Sequence, residues 1–314
     1  MCCTPSWTRG SDLTEQVESV ISADRSAQAG IERSASLWAD AWRDLRRRPV
    51  AIASAVVIVL VSSMAAFPWL WTRTDPRDCP IQLSKATPSA AHIFGTNELG
   101  CDYYAMTIYG ARASIIVALV STSLVLLVGA LVGMAAGFYG GWVDSVLSRL
   151  ADIFFALPFL LGALVFLSML RSHSVWTIVL AFAVLGWPPL ARIVRASVLA
   201  TKNMDYVQAA RSLGASDRRL LFRHILPNAA APAIVVATIL LGTYVASEAT
   251  LSYLGIGLQP PEISWGIMIA QGQSYVTSGY PHLLLFPAAF LSATVLAFIL
   301  LGDALRDALD PKLR

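Results

Sequence analysis

Apolar residues along this chain gather into six runs long enough to cross a bilayer, a distance that takes about 20 residues of helix. They cover Val50 to Trp71, about Ile115 to Phe138, Leu147 to Leu170, Val175 to Ile193, Pro232 to Leu254 and Leu283 to Leu301. Trp69 and Trp71 close the first run where a membrane interface would lie. Gly186-Trp187-Pro188-Pro189 interrupts the fourth, and two missing backbone donors there predict a bend with carbonyls seeking other partners. The pattern predicts an all-α integral membrane protein of six transmembrane helices, so both termini fall on one side.

Between these runs the polar positions also carry a pattern. Residues 1–49 form a tail rich in Ser, Ala, Arg and Glu, whose first thirty or so residues have no steady period. After Ser36, a candidate N-cap, the positions Leu37, Trp38, Ala41, Trp42 and Leu45 share one helical face. This predicts an amphipathic helix over about 36–48, lying in the headgroup layer or packed on the protein's own helices. The span 50–71 follows, then a loop of 72–112, a membrane domain of 113–302 and a tail of 303–314.

The longest polar interruption of the membrane domain is residues 201–227. Tyr206, Ala209, Ala210 and Leu213 fall at i, i+3, i+4 and i+7, while Asp205, Gln208, Arg211 and Ser212 sit off that stripe. Gly214 predicts the end of this helix; Ser216 predicts a cap for a second, which Pro227 would stop. Two adjacent alanines leave room for another protein to approach the backbone closely. A pair of helices lying on the lipid headgroups is the other reading of the same residues, favoured by seven basic residues between Arg192 and Arg223.

Composition and charge place these elements. With 56% apolar residues, 14% charged and a mean hydropathy of +0.62, the chain falls outside soluble domains. The segments 1–49, 139–149, 192–224 and 303–314 hold 18 of the 23 Lys and Arg, which predicts that they and both termini are cytoplasmic. Cys79 and Cys101 then share an exterior loop, where a disulfide would contribute about 3 kcal/mol through loop closure; two buried free thiols are the alternative. Cys2 and Cys3 have no assigned role.

Gln208-Ala209-Ala210, Gly214 and Leu226-Pro227 resemble the EAA loop of ABC-importer permeases, with Gln208 where the family usually has Glu and His224 where many members have Ile. Gly95 to Arg112, Leu251 to Ile269 and Gly302 to Pro311 are similar to further motifs of dipeptide and oligopeptide permeases, in family order. Many members have Arg at the position of Cys101, a departure that favours pairing with Cys79. The resemblance implies a type I importer permease of the C type in the cell membrane, with a cytoplasmic coupling helix in 201–227. Its implied partners are a second permease, two cytoplasmic ATPase domains, which would bind ATP and Mg, and an extracytoplasmic substrate-binding protein; nucleic acid is not among them. Asp205, Tyr206, Gln208, Ala209, Ala210, Arg211, Leu213, Gly214, Leu226 and Pro227 would contact the ATPase. The implied cargo is a di- or oligopeptide, with nickel, glutathione or haem as alternatives.

Catalytic chemistry has no footing in the sequence. Lys85, Lys202 and Lys312 are the only lysines and none lies in a P-loop, while His92, His173, His224 and His282 lack metal-ligand spacing. No cofactor or metal is expected in this chain. Glu248 stands along the fifth run, about 24 Å from Pro232 at 1.5 Å per residue, and either faces the substrate pathway or serves a structural role near the outer interface. Asp152 reads as an N-terminal helix charge. A stand-alone secondary transporter would show internal repeats or broken helices with an ion site, and neither is evident in the sequence.

Overall fold

The computed structural model describes residues 37–170 and 173–309. Ser36, Cys2, Cys3, Asp310 and Pro311 lie outside them. Among the described residues the structure is helical, with one isolated backbone bridge between Thr96 and Asp102 and no strand. The elements are α1 (Leu37–Leu45), α2 (Pro49–Ala66), α3 (Tyr103–Tyr139), α4 (Gly141–Phe155), α5 (Phe159–Leu170), α6 (Val175–Lys202), α7 (Asp205–Ser212), α8 (Asp217–Tyr253), α9 (Trp265–Gly272) and α10 (His282–Leu309). Of these, α2, α3, α6, α8 and α10 are long and apolar enough to cross a membrane. Val59, Leu127, Leu161 and Leu285 point outward, as suits surfaces solvated by hydrocarbon.

The third expected span is not a single rod. In place of one helix over Leu147 to Leu170, α4 and α5 meet at 82°, so six crossings result only if the pair counts as one. Pro158 has no N–H to donate and disfavours helical backbone at Leu157, which forms a bend two residues past the end of α4 at Phe155. The first helix likewise stops at Ala66 and not Trp71, because Pro68 forces Phe67 to φ −130°, ψ 60°. A single 3-10 turn, Pro68–Leu70, follows.

Other helices outrun their apolar stretches because capping chemistry, not hydropathy, sets their ends. Twelve residues ahead of Ile115, α3 begins at Tyr103, where Asp102 Oδ1 accepts from the Ala105 N–H at 2.8 Å and its other oxygen meets His92 Nδ1 at 2.8 Å. The Ser174 hydroxyl caps α6, which stays helical through Pro188 and Pro189 and continues to Lys202. Pro227 does not stop a helix: α8 runs through it, with a π-helical stretch at Leu220–Ile225 just before. The connection between α8 and α10 holds a helix the periodicity did not predict, α9, whose Trp265 is wholly buried and donates from Nε1 to the Thr107 carbonyl at 2.9 Å.

The closest helix contact is α3 against α6. Gly129, Gly133 and Gly137 recur every four residues on α3, and a Cβ at each would lie within 3.0 Å of Leu190, Ala191 or Val198. Small residues at this spacing let backbones touch, which maximises dispersion contact where lipid removes the hydrophobic drive between helices. The pair is also tied at one end, where Lys202 Nζ donates to the Gly137 carbonyl at 2.8 Å. Two ion pairs fasten α4 to α6: Asp144 to Arg195 through both oxygens at 2.5 and 2.6 Å, and Asp152 to Arg192 at 2.5 Å. Asp152 is thus a partner of α6 and not an N-terminal charge, since it sits in the last turn of α4. Arg48 joins α1 to α10, donating to Asp44 at 3.0 Å and Asp307 at 2.8 Å.

The α3–α6 seam is testable. At Gly133 a Cβ would sit 2.5 Å from the Ala191 carbonyl oxygen, a backbone atom that cannot turn aside. Gly133→Leu is expected to lower the melting temperature of the detergent-purified chain by many degrees or prevent its recovery. Gly140→Ala, where a Cβ meets nothing within 4 Å, should be much milder and reflect only its backbone φ of 68°.

Candidate functional site

At the end of α6 the chain leaves the bundle as α7, turns at Gly214 and re-enters it as α8. Asp205 opens α7 with a negative charge at the positive end of the helix dipole. Its C-terminus closes by the Schellman pattern: the Ala215 N–H donates to the Ala210 carbonyl at 3.1 Å and the Gly214 N–H to the Arg211 carbonyl at 2.9 Å. Gly214 holds φ +82°, the left-handed region open to glycine, and nothing approaches the place of its missing Cβ. Ser216 occupies the N-cap position of α8 but makes no capping bond.

The two faces of α7 differ in what they meet. Val207 is wholly buried and belongs to the same core as Leu220 and Ile225 of α8, with Ala210 and Leu226 packed against it. On the other side Tyr206, Ala209 and Leu213 are exposed, Leu213 at 89%, and Phe222 of α8 adds an exposed ring. The predicted stripe therefore splits: Ala210 turns inward with Val207, while Tyr206, Ala209 and Leu213 form an uncovered apolar face. Val207 is the residue that sequence reasoning missed, although Val207 and Ala210 stand at i, i+3 and so share a face.

Hydrogen bonds fix the segment's attitude. Gln208 Nε2 donates to the Lys202 carbonyl at 2.9 Å, holding α7 to the end of α6. Asn228 Nδ2 donates to the Tyr206 hydroxyl at 3.0 Å and to the His224 carbonyl at 2.9 Å, bracing α7 on α8. The Tyr206 ring is uncovered, but its hydroxyl sits against His224 and Asn228, and partial desolvation there pushes the phenol above its ordinary range, partly offset by the bond from Asn228. Pro227 is exposed within α8, as are Arg211 of α7 and Arg218 and Arg219 of α8, the last two lining a concavity with Phe222. A helix so held is a knob with an uncovered apolar face and exposed basic residues on the same segment.

Glu248 lies elsewhere, completely buried on α8. Its carboxylate accepts from the Ser114 hydroxyl of α3 at 2.7 Å and the Ser252 hydroxyl at 2.8 Å, with the Ser264 hydroxyl at the start of α9 also facing it. Ser252 in turn accepts from the Leu258 N–H at 3.0 Å, and Ser264 caps α9 at the Ile267 N–H. The carboxylate thus joins α3, α8 and the entry to α9, a placement that favours the structural reading over contact with cargo. In the loop between α2 and α3, Cys79 and Cys101 are joined, S–S 2.06 Å. Among the described residues no group of three or more His, Cys, Asp or Glu is placed to hold a metal ion.

Residues 129–314 match the model of the binding-protein-dependent transport system inner membrane component, and residues 36–84 that of the N-terminal TM domain of oligopeptide transport permease C. The chain is 42% identical to the oligopeptide transport system permease protein OppC of Bacillus subtilis (strain 168), over 90% of this chain and 92% of that protein. The glutathione transport system permease protein GsiD of Pectobacterium atrosepticum is 36% identical over 88% of this chain and 92% of its own. In three dimensions the chain is similar to one from inward-facing conformations of the MetNI methionine ABC transporter, with a TM-score of 0.53 and 21% identity over 65% of this chain and 96% of that one.

The buried carboxylate yields a prediction. Glu248→Ala strands the hydroxyls of Ser114 and Ser252 beside a cavity and should cost about 2–4 kcal/mol of stability, read as a lowered melting temperature in detergent. Glu248→Gln keeps the shape and an acceptor and should lose markedly less. Equal losses would show that the serine contacts carry no weight.

Proposed function

The chain belongs to the family of binding-protein-dependent transport system inner membrane components, and from that membership we propose that it is one permease half of an ATP-driven importer whose α7–α8 knob is moved by a separate ATPase. The observation that carries this reading is the exposed face of Tyr206, Ala209 and Leu213, held outward by the buried Val207 and the left-handed turn at Gly214. A helix resting on headgroups has no need of such a fixed, projecting turn. A cleft on a partner ATPase does, because force passes only through a contact that does not yield.

In this reading α4 and α5 together make one crossing, giving six, and 18 of the 23 basic side chains face the cytoplasm with both termini and the knob. ATP binding draws two partner ATPase domains together, the knob follows, and α6 and α8 carry the displacement as rigid rods to the far side. The equilibrium between inward-open and outward-open states shifts because the closed ATPase pair fits only one of them. ATP and Mg belong to those partners; this chain contributes no catalytic residue. A second permease completes the pathway and an exterior binding protein delivers cargo. Relatives that carry oligopeptides and dipeptides favour a peptide, and a glutathione-transporting relative keeps that tripeptide as the main alternative.

Ala209→Trp puts an indole on the exposed face, and Gly214→Pro demands a negative φ where the chain holds +82°. Both variants are expected to insert in the membrane at wild-type levels yet to lose the ATPase subunits on mild-detergent purification. Recovery of the ATPases with either variant at wild-type yield would refute the contact.

A further inference from the structure

A concave site lies at the opposite end of the molecule from the knob. Loop residues Arg73 to Arg77, the first part of α3 through Tyr109, Arg112 and Ile116, Val175 at the start of α6, and Glu262 and Ile263 ahead of α9 line a half-open cavity of about 580 Å³. Val175 and Lys202 are the two ends of α6, a 28-residue helix, and such a rod is about 42 Å long. The cavity therefore opens on the face opposite the knob, the exterior face of the proposed topology.

Its wall has two kinds of surface. Arg73, Arg77 and Arg112 line it, and none has an ion-pair partner among the described residues. Asp75 and Glu262 line it as well, which leaves one positive charge in excess. Asp75 Oδ1 is committed to the Arg77 N–H at 2.9 Å, a bond that sets the loop, and Cys79, two residues on, anchors that loop to Cys101 ahead of α3. Beside the charges stand Ala113, Ile116, Val175 and Ile263. The three exposed guanidiniums share this concavity with two carboxylates, so one positive charge is left uncompensated there, and a planar fork of donors suits a carboxylate. The volume is in the range of small-ligand sites, and the apolar wall fits a carboxylate bearing an apolar side chain better than a bare inorganic anion.

We propose that this cavity receives the free C-terminal carboxylate of a short peptide on the exterior side, with Arg73, Arg77 and Arg112 as its binding residues and the apolar wall beside the terminal side chain. The inference rests on the peptide-importer reading and adds to it a named entry subsite.

The full chain in lipid nanodiscs, titrated with radiolabelled Ala-Phe and with Ala-Phe-amide, tests it. The free acid should bind at least about tenfold more tightly than the amide, the scale of one charge-assisted hydrogen bond. Arg77→Gln with Arg112→Gln should remove that preference. Equal affinity for acid and amide, no binding of either, or a preference that survives in the double variant would overturn the proposal. The acid–amide comparison uses the unaltered chain, so it does not depend on how the variants fold. ATPase co-purification is scored separately. A chain that holds its ATPase but shows no acid preference refutes the cavity alone, whereas acid preference without ATPase association refutes the coupling reading alone.

Discussion

Backbone-to-backbone contact between α3 and α6 is the constraint on which the remaining architecture depends. Within a bilayer apolar side chains gain nothing by leaving lipid for protein, so helices hold together by dispersion, by hydrogen bonds and by shape. Gly129, Gly133 and Gly137 supply the shape, and Lys202 capping the Gly137 carbonyl supplies a bond at the end of the seam. The knob hangs directly from that end, separated from α6 only by Asn203 and Met204, with Gln208 donating back to Lys202. A displacement of the knob is therefore a displacement of α6, and α3 has no freedom to stay behind.

Two further ties fasten helices at the end of the bundle that carries the knob. Asp144 and Asp152 pin α4 to Arg195 and Arg192 of α6, while Arg48 joins α1 to α10. At the other end Glu248 joins α3, α8 and the start of α9 through serine hydroxyls, and Trp265 closes α9 onto α3. Polar groups at both ends and a nearly pure van der Waals seam between them leave the bundle stiff along its length.

Much of this was legible in the sequence where the signal is local. Apolar runs marked the helices, and Gly214 marked the end of α7 because the required left-handed turn singles out glycine. Helix ends at Ala66 and Phe155 were written in Pro68 and Pro158 but masked by unbroken hydropathy, which counts apolar side chains and ignores missing N–H groups. The Gly129-Gly133-Gly137 ridge was equally visible as a spacing, yet spacing alone names no partner helix. Asp144 and Arg195 lie 51 residues apart, and nothing local joins them. Val207 went unnoticed beside a more obvious stripe, because a helix with two apolar faces gives a periodicity that does not say which one is covered.

The π-helical stretch at Leu220–Ile225 has its own implication for chain length. A wide turn holds one residue more than an α turn while the rods on either side keep their alignment. Deleting one residue there lets the turn tighten to ordinary α geometry with Arg218 and Arg219 aimed as before. The same deletion inside α6 would swing everything beyond it by about 100°. The joint between knob and bundle thus contains a spare residue, and the rod that suspends the knob contains none.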